Sequence, residues 1–342
     1  MPSGAKIQWD VPDITPACIR KAPRKTGRAC LAGSVLAAAA ISTSWAVESP
    51  PSLQAQPLPP LQPFLAEART HLVSDRLAQV HYTFEERQAR YHHGADGKAT
   101  QTLEKIIEWY PALEEDLNYQ RVVSVNGTRV PAEDLERRDR EYEKKIKDWA
   151  ARVRRDGSSP GDRRRAKEAI EHVKERGVID ELFLLYDIQM LHRDVVGGRP
   201  AIVFSLAPRP RFEPKQPDVQ LARHFGGRVW FDEQEHQLVR IEMEALEGVS
   251  LALGFVARLS KGSRAEFERR RFDDGTWLPV RDRIDAGGRL LLVKRIELDQ
   301  ISEYRNYKPQ PIDGIPAVGP VPRISFEHDL TASFGRRAAG RQ

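Results

Sequence analysis

Between Gly226 and Tyr307, short stretches that alternate apolar and polar positions are cut at near-regular intervals by turn residues. The stretches read RVWFD, LVRIEMEAL, LALGFVARL, AEFERRRF, TWLPVRDRI and LLLVKRIEL. The breaks are Glu233 to His236, Gly248, Lys261-Gly262-Ser263, Asp273-Asp274-Gly275 and Ala286-Gly287-Gly288. Each stretch is too short for an ordinary helix and rich in Val, Ile, Leu, Phe or Trp, so the region predicts an antiparallel meander. Its two faces differ: Val239, Ile241 and Met243 oppose Arg240, Glu242 and Glu244, which places one face against apolar material and the other in water.

Upstream, Leu65, Ala68 and Leu72 recur at helical spacing and predict a short helix over 64–76. Ala78, Val80, Tyr82 and Phe84 then alternate with Gln79, His81 and Thr83 as a strand that turns near Gly94 into a second, Thr100 to Tyr110. A third strand, Asn118 to Val125, ends at Asn126-Gly127-Thr128, read as a turn, although the tripeptide also fits a glycosylation acceptor. Leu135, Tyr142, Ile146, Trp149 and Val153 mark one face of a long charged helix. A break at Gly157 to Gly161 leads to a second helix through Ile170 and Val173, ending at Gly177. Strands resume at Leu182 to Asp194, turn at Gly197-Gly198 and return through Ala201 to Leu206. A proline-rich crossing and a short helical stretch, Asp218 to His224, lead into the meander. The expected fold class is α+β, mostly antiparallel β, with about eleven strands and a charged helical hairpin inserted at 132–177.

The ends of the 342-residue chain are of a different kind. Arg20, Lys21, Arg24, Lys25 and Arg28 precede a run without charge from Ala29 to Ala46, the pattern of a secretory signal peptide with cleavage expected after Ala46. An uncleaved anchor is the weaker alternative, because much of the run is Ala, Gly, Ser or Thr. A proline-rich leader at 47–63, one domain at 64–307 and a proline-rich tail at 308–342, expected to be disordered, complete the division. Both cysteines, Cys18 and Cys30, fall in the signal segment, and the remainder carries 48 basic against 47 acidic residues. The overall basic balance therefore gives no support to a nucleic-acid partner, and export to a periplasmic space is expected.

Catalytic signatures are lacking. The nine histidines show neither His-x-x-x-His nor His-x-His spacing, and His92-His93 sits beside a predicted turn. There is no Gly-x-Ser-x-Gly elbow, no phosphate-binding glycine loop and no cysteine beyond the signal segment. Carboxylates nearly all have basic neighbours, and Arg163-Arg164-Arg165 and Arg269-Arg270-Arg271 read as solvated faces with local ion pairs. No cofactor, metal or enzymatic activity is expected. The candidate site is a set of apolar positions along one side of a curved sheet: Val80, Tyr82, Phe84, Ile106, Val229, Phe231, Val239, Ile241, Met243, Leu278, Val280 and Ile284. They form a ligand cavity only where helices fail to fill that side.

Gly227-Arg228-Val229-Trp230-Phe231-Asp232, then Gln237-Leu238-Val239-Arg240-Ile241-Glu242, and the later Trp277-Leu278-Pro279-Val280-Arg281 give the pattern a family likeness. The chain resembles the lipoprotein-carrier superfamily of LolA, LolB and the periplasmic regulator RseB over roughly residues 64–307. The resemblance implies an unclosed half-barrel of about eleven strands capped by helices, whose cavity binds acyl chains. It implies a lipid or acylated lipoprotein as partner, with an envelope sensor or scaffold that binds a protein as the alternative. The hairpin at 132–177 departs from the small carriers and is expected to cover the cavity or meet a partner. An outer-membrane barrel is excluded by the charge on the outward strand positions.

Overall fold

Alternation along the chain becomes thirteen strands and five α-helices in the computed structural model, which describes residues 57–310 except 95, 97, 253–255 and 291–293. The expected signal segment, the leader up to residue 56 and the tail from 311 lie outside the described residues. Helices α1 (Leu61–His71) and α2 (Asp75–Gln79) lead into β1 (Tyr82–His93), β2 (Ala99–Tyr110), β3 (Tyr119–Val125) and the short β4 (Thr128–Arg129). The inserted hairpin is α3 (Ala132–Arg155) and α4 (Pro160–Leu185). It is followed by β5 (Tyr186–Val196), β6 (Arg199–Pro208), α5 (Pro217–Ala222), β7 (Phe225–Asp232) and β8 (Leu238–Ala245). The remaining strands are β9 (Val249–Ala252), β10 (Val256–Leu259), β11 (Arg264–Arg271), β12 (Trp277–Leu290) and β13 (Lys294–Pro309).

All pairings are antiparallel, and the sheet is open, running β4-β3-β2-β1-β13-β12-β11-β8-β7-β6-β5. These eleven strands match the expected number, but the meander is not continuous. LALGFVARL, expected as one strand between β8 and β11, splits into β9 and β10, and β11 pairs directly with β8. The cause is unequal length. β12 has 14 residues and β11 only 8, so the far end of β12 offers free ladder groups, and Ala257 to Leu259 of β10 take them at Gly288 to Leu290.

The local turn chemistry behaves as expected. Asn126 and Gly127 at φ 50° and 76°, and Gly197 and Gly198 at φ 58° and 82°, are the left-handed pairs of tight two-residue hairpins. The helix boundaries differ. Ala78 and Val80, expected on a strand, belong to α2 and its C-cap, after Ser74 accepts a hydrogen bond from the Leu77 amide and starts a new helix. α4 does not stop at Gly177 but continues to Leu185, because Val178, Leu182 and Leu185 pack with Val219 and Tyr186. Tertiary burial outweighs the glycine's poor helix propensity of about 1 kcal/mol.

Both faces of the sheet can be followed through the register. On one, Arg87, Glu303, Arg281, Glu268 and Arg240 stand side by side across five strands in alternating charge, with Arg87 Nη1 3.2 Å from Glu303. The other face carries α1 and α2. Gly227 of β7 lies on this side, where a Cβ would come within 1.9 Å of the Glu242 carbonyl oxygen. Gly227→Ala should push β7 and β8 apart and cost about 1–3 kcal/mol. A Cβ at Gly287 would meet only the Ser260 side chain, at 3.7 Å or more, so Gly287→Ala should stay within about 0.5 kcal/mol of the parent. Urea midpoints of the two variants check this; equal midpoints contradict it.

Candidate functional site

Two helices are pinned to one face of the sheet at separate places, and the strip of that face beside them is the candidate site. At the first place Phe64, Leu65 and Ala68 of α1 pack on Ile202, Phe204, Val229, Phe231 and Leu238. The Phe64 ring lies 5.5 Å from Phe204 and meets Phe231 edge-on at 6.4 Å. At the second, Arg269 of β11 donates from Nε to Asp75 Oδ1 at 2.7 Å and from Nη2 to the Val73 carbonyl at 2.6 Å, tying the start of α2 to the sheet. Beside it, Phe84 stacks on Trp109 and touches Tyr304 and Tyr307. Asn306, at φ 58°, sits at the irregularity in the β1–β13 ladder. It lets Tyr304 and Tyr307, three residues apart, both project to the helix-bearing face.

Beside these anchors run two rows in register. Met243, Ala265, Ile284, Gln300 and Arg90 cross β8, β11, β12, β13 and β1; Ile241, Phe267, Asp282, Ser302 and Gln88 lie beside them. Four inter-strand steps make the rows about 19 Å long. Met243 leans on the α5 cluster, but Ala265, Phe267 and Ile284 are half-buried and join none of the buried clusters among the described residues. The surface is thus a trough, apolar on β8, β11 and β12 and polar on β13 and β1.

Asp282 lies within the trough floor. Its Oδ2 accepts the Tyr304 hydroxyl at 2.7 Å, while Oδ1 is buried without a hydrogen-bond partner. Burial pushes its carboxyl up to about 7, opposed by the Tyr304 hydrogen bond and Arg269 and reinforced by the nearby Asp75 and Glu86. Glu86 is fully engaged: Oε1 accepts from Ser302 Oγ at 2.6 Å and Oε2 from Trp109 Nε1 at 2.7 Å. Among the described residues no group of three or more His, Cys, Asp or Glu is arranged to hold a metal. A separate open groove of about 700 Å³ lies between α1 and the β7–β8 turn, lined by Pro60, Phe64, Glu67, His71 and His236 among others.

The twelve candidate residues divide. Val229, Phe231 and Ile241 join the α1 cluster, and Met243 and Ile284 line the trough. Tyr82 and Phe84 belong to the aromatic group around Tyr307. Val80 is not on the sheet but packs with Leu77 and Leu113. Two bulges and one choice of parity place the others. Phe231 pairs with Leu238 and Trp230 with Arg240, so Val239 is the extra residue and packs on the opposite face with Trp230 and Trp277. On β12, Val280 is the extra residue opposite the Glu268–Arg269 step, so Leu278 and Ile284 pair with residues of opposite parity on β11. Ile106 pairs with Arg87 on the charged face, and Ile107 takes the helix-bearing side.

Two features escaped the sequence reasoning. Arg164 of α4 and Arg269, expected on solvated faces, are buried. Asp282 was lost among many carboxylates, although its even parity with Val280 and Ile284 placed it on the apolar side of TWLPVRDRI.

No protein-family model matches the chain, and no curated protein matches it. Solved structures do. A LolA superfamily protein from Nitrosomonas europaea is 11% identical, with a TM-score of 0.26, covering 73% of this chain and 93% of its own. A DUF1329 family protein from Desulfovibrio piger is 12% identical at TM-score 0.26, covering 74% and 94%. A putative outer membrane lipoprotein-sorting protein domain from Vibrio parahaemolyticus is 9% identical at TM-score 0.25, covering 72% and 91%. Similarity at this level assigns no role to any residue of this chain.

Because the folded Asp282 carboxyl is raised above its ordinary value, the folded protein keeps a proton that the unfolded chain releases between about pH 4 and 7. The stability it contributes falls across that window, with a limiting slope of about 1.4 kcal/mol per pH unit, and levels off above it. Asp282→Asn should flatten this slope in denaturant titrations at pH 5 and pH 8; an unchanged slope contradicts the assignment. Arg269→Ala, which leaves Asp75 without its partner, should lower stability by about 3 kcal/mol in the same assay.

Proposed function

We propose that this protein is a non-enzymatic binder of lipid or lipoprotein acyl chains, acting in the periplasmic space. The observation that carries the proposal is the apolar half of the trough, where Ala265, Phe267 and Ile284 stay only half-buried beside two anchored helices. Apolar side chains placed this way gain about 0.8 kcal/mol for each ligand methylene they shelter from water. The basic segment and the uncharged run from Ala29 to Ala46 support export. No helix of the described residues is long and apolar enough to cross a membrane. On this reading α4 is a fixed wall rather than a free lid. It is tied to α1 and α2 by Arg69 with Asp180, Arg76 with Glu171, and Ser74 with Glu175.

A second reading rests on α4 itself. Ile170, Val173 and Leu184 fall within one narrow sector of the helix and are 52%, 74% and 56% exposed, an apolar stripe suited to a protein partner in the envelope.

Protein purified from a periplasm without detergent should carry co-purifying lipid in native mass spectrometry and take up a fluorescent fatty acid near one to one. Phe267→Asp should lower that uptake about tenfold or more while thermal unfolding stays cooperative. Ile170→Asp combined with Val173→Asp should leave uptake unchanged. An empty protein that takes up no fatty acid, yet crosslinks through position 173 to one defined envelope protein, would replace the first reading with the second.

A further inference from the structure

The polar half of the trough holds a cation whose setting differs from that of Arg87, Arg121 and Arg269. Arg87 meets Glu104 and Glu303, Arg121 meets Glu108 and Asp139, and Arg269 meets Asp75. Arg90 is half-buried on the helix-bearing face, yet its Nε donates only to an amide oxygen, Gln300 Oε1, at 3.0 Å. No carboxylate lies within ion-pair distance of it among the described residues. Burial lowers its basicity, and no acidic neighbour offsets that cost. A partly desolvated guanidinium without a counter-charge is expensive to keep, and it is the group best shaped to take a carboxylate or phosphate in a two-pronged hydrogen bond.

Its position strengthens the point. Arg90 opposes Leu103 on β2, and Gln88 opposes Lys105, so Arg90 and Lys105 are diagonal neighbours on the same face. Lys105 is also half-buried and forms no ion pair among the described residues. Arg90 ends the row that begins at Met243 and passes through Ala265, Ile284 and Gln300, so a row about 19 Å long, apolar over about its first 10 Å, terminates at a pair of uncompensated cations.

We infer that the trough selects anionic single-chain amphiphiles, with Arg90 and Lys105 holding the carboxylate or phosphate head while the chain lies over Ile284 and Phe267 toward Met243. The inference rests on the chain-binding proposal above and adds a head-group requirement to it. Neutral amphiphiles of equal length leave the Arg90 guanidinium unpaired and forfeit the charge-assisted hydrogen bonds. Small anions without a chain lack the apolar floor.

The test is a displacement titration of a bound fluorescent fatty acid by dodecanoate, dodecyl phosphate, dodecan-1-ol and acetate. It uses the wild type, Arg90→Gln, Arg90→Glu and, as a control on the charged face, Arg228→Gln. Dodecanoate and dodecyl phosphate should displace the probe at concentrations at least about tenfold lower than dodecan-1-ol, and acetate should not displace it over the same range. Arg90→Gln should bring anion and alcohol within about twofold by weakening only the anions, Arg90→Glu should favour the alcohol, and Arg228→Gln should match the wild type. Thermal unfolding of each variant establishes that it is folded. If alcohol and anions displace the probe equally from the wild type, or if Arg90→Gln keeps the preference, the head-group assignment is wrong and chain binding stands. If the wild type takes up neither probe nor amphiphile, chain binding and the head-group site fall together.

Discussion

The pairing of β1 with β13 is the constraint on which the rest depends. Residues 82–91 pair with 299–309, more than 200 positions away in the chain, so two runs of strands laid down at opposite ends of the described sequence become one sheet. Without that ladder, β1 to β4 would be a small sheet with an exposed edge, and β11 to β13 would end in another. The seam is closed at one end by Gln310, whose backbone amide donates to the His81 carbonyl and whose side chain donates to the carbonyls of Val80 and Pro111. Since α2 runs straight into β1, the same seam brings α2 over β11 and β12, where Arg269 fastens it.

Anchoring at two places explains why the helix-bearing face is neither fully packed nor fully open. α1 spends its aromatic and aliphatic side chains on β6 and β7, and α2, five residues long, reaches only β11, β12 and the aromatic group next to Tyr307. The five strands from β8 to β1 keep a strip of half-buried side chains beside the helices. A protein with no use for that strip would gain by filling it, at about 25 cal/mol for each Å² of apolar surface removed from water. Retaining Asp282 and Arg90 there, one with a buried unpartnered oxygen and one without a counter-charge, also costs stability. Local departures from the best packing and pairing tend to gather at functional sites.

The opposite face shows what the sheet does where no ligand is sought. Along the row from Arg87 to Arg240 its charges alternate, so each of those arginines has a glutamate beside it, and the aromatic rings near β7 are covered. Trp230 lies under the guanidinium groups of Arg228 and Arg240, both 5.3 Å from its ring centroid. Near β6 and β7 this face also forms a core of its own from Ala201, Val203, Trp230, Val239 and Trp277. The simple division into one dry and one wet face therefore holds for the middle of the sheet and fails toward β5.

The sequence by itself determined the strands, their turns and the existence of two long charged helices, because these follow from side-chain period and from the backbone freedom of residues such as Asn126, Gly127, Gly197 and Gly198, which act over a few positions. It also placed Phe84, Phe231, Ile241 and Ile284 on the correct side. Tertiary structure decided where parity breaks. A bulge adds one residue to one strand of a pair, so Val239 changed faces through contacts with a partner strand that no local pattern records, and the β1–β2 register put Ile107 rather than Ile106 on the helix-bearing side. It decided that Val80 caps a helix and that Gly177 lies within one, since burial against distant residues outweighed local preference. It also decided which charges are compensated: Arg269 found Asp75 and Arg90 found no carboxylate, although both sit in strands of similar composition, because an ion pair depends on which residues the register and the helices bring within a few ångströms.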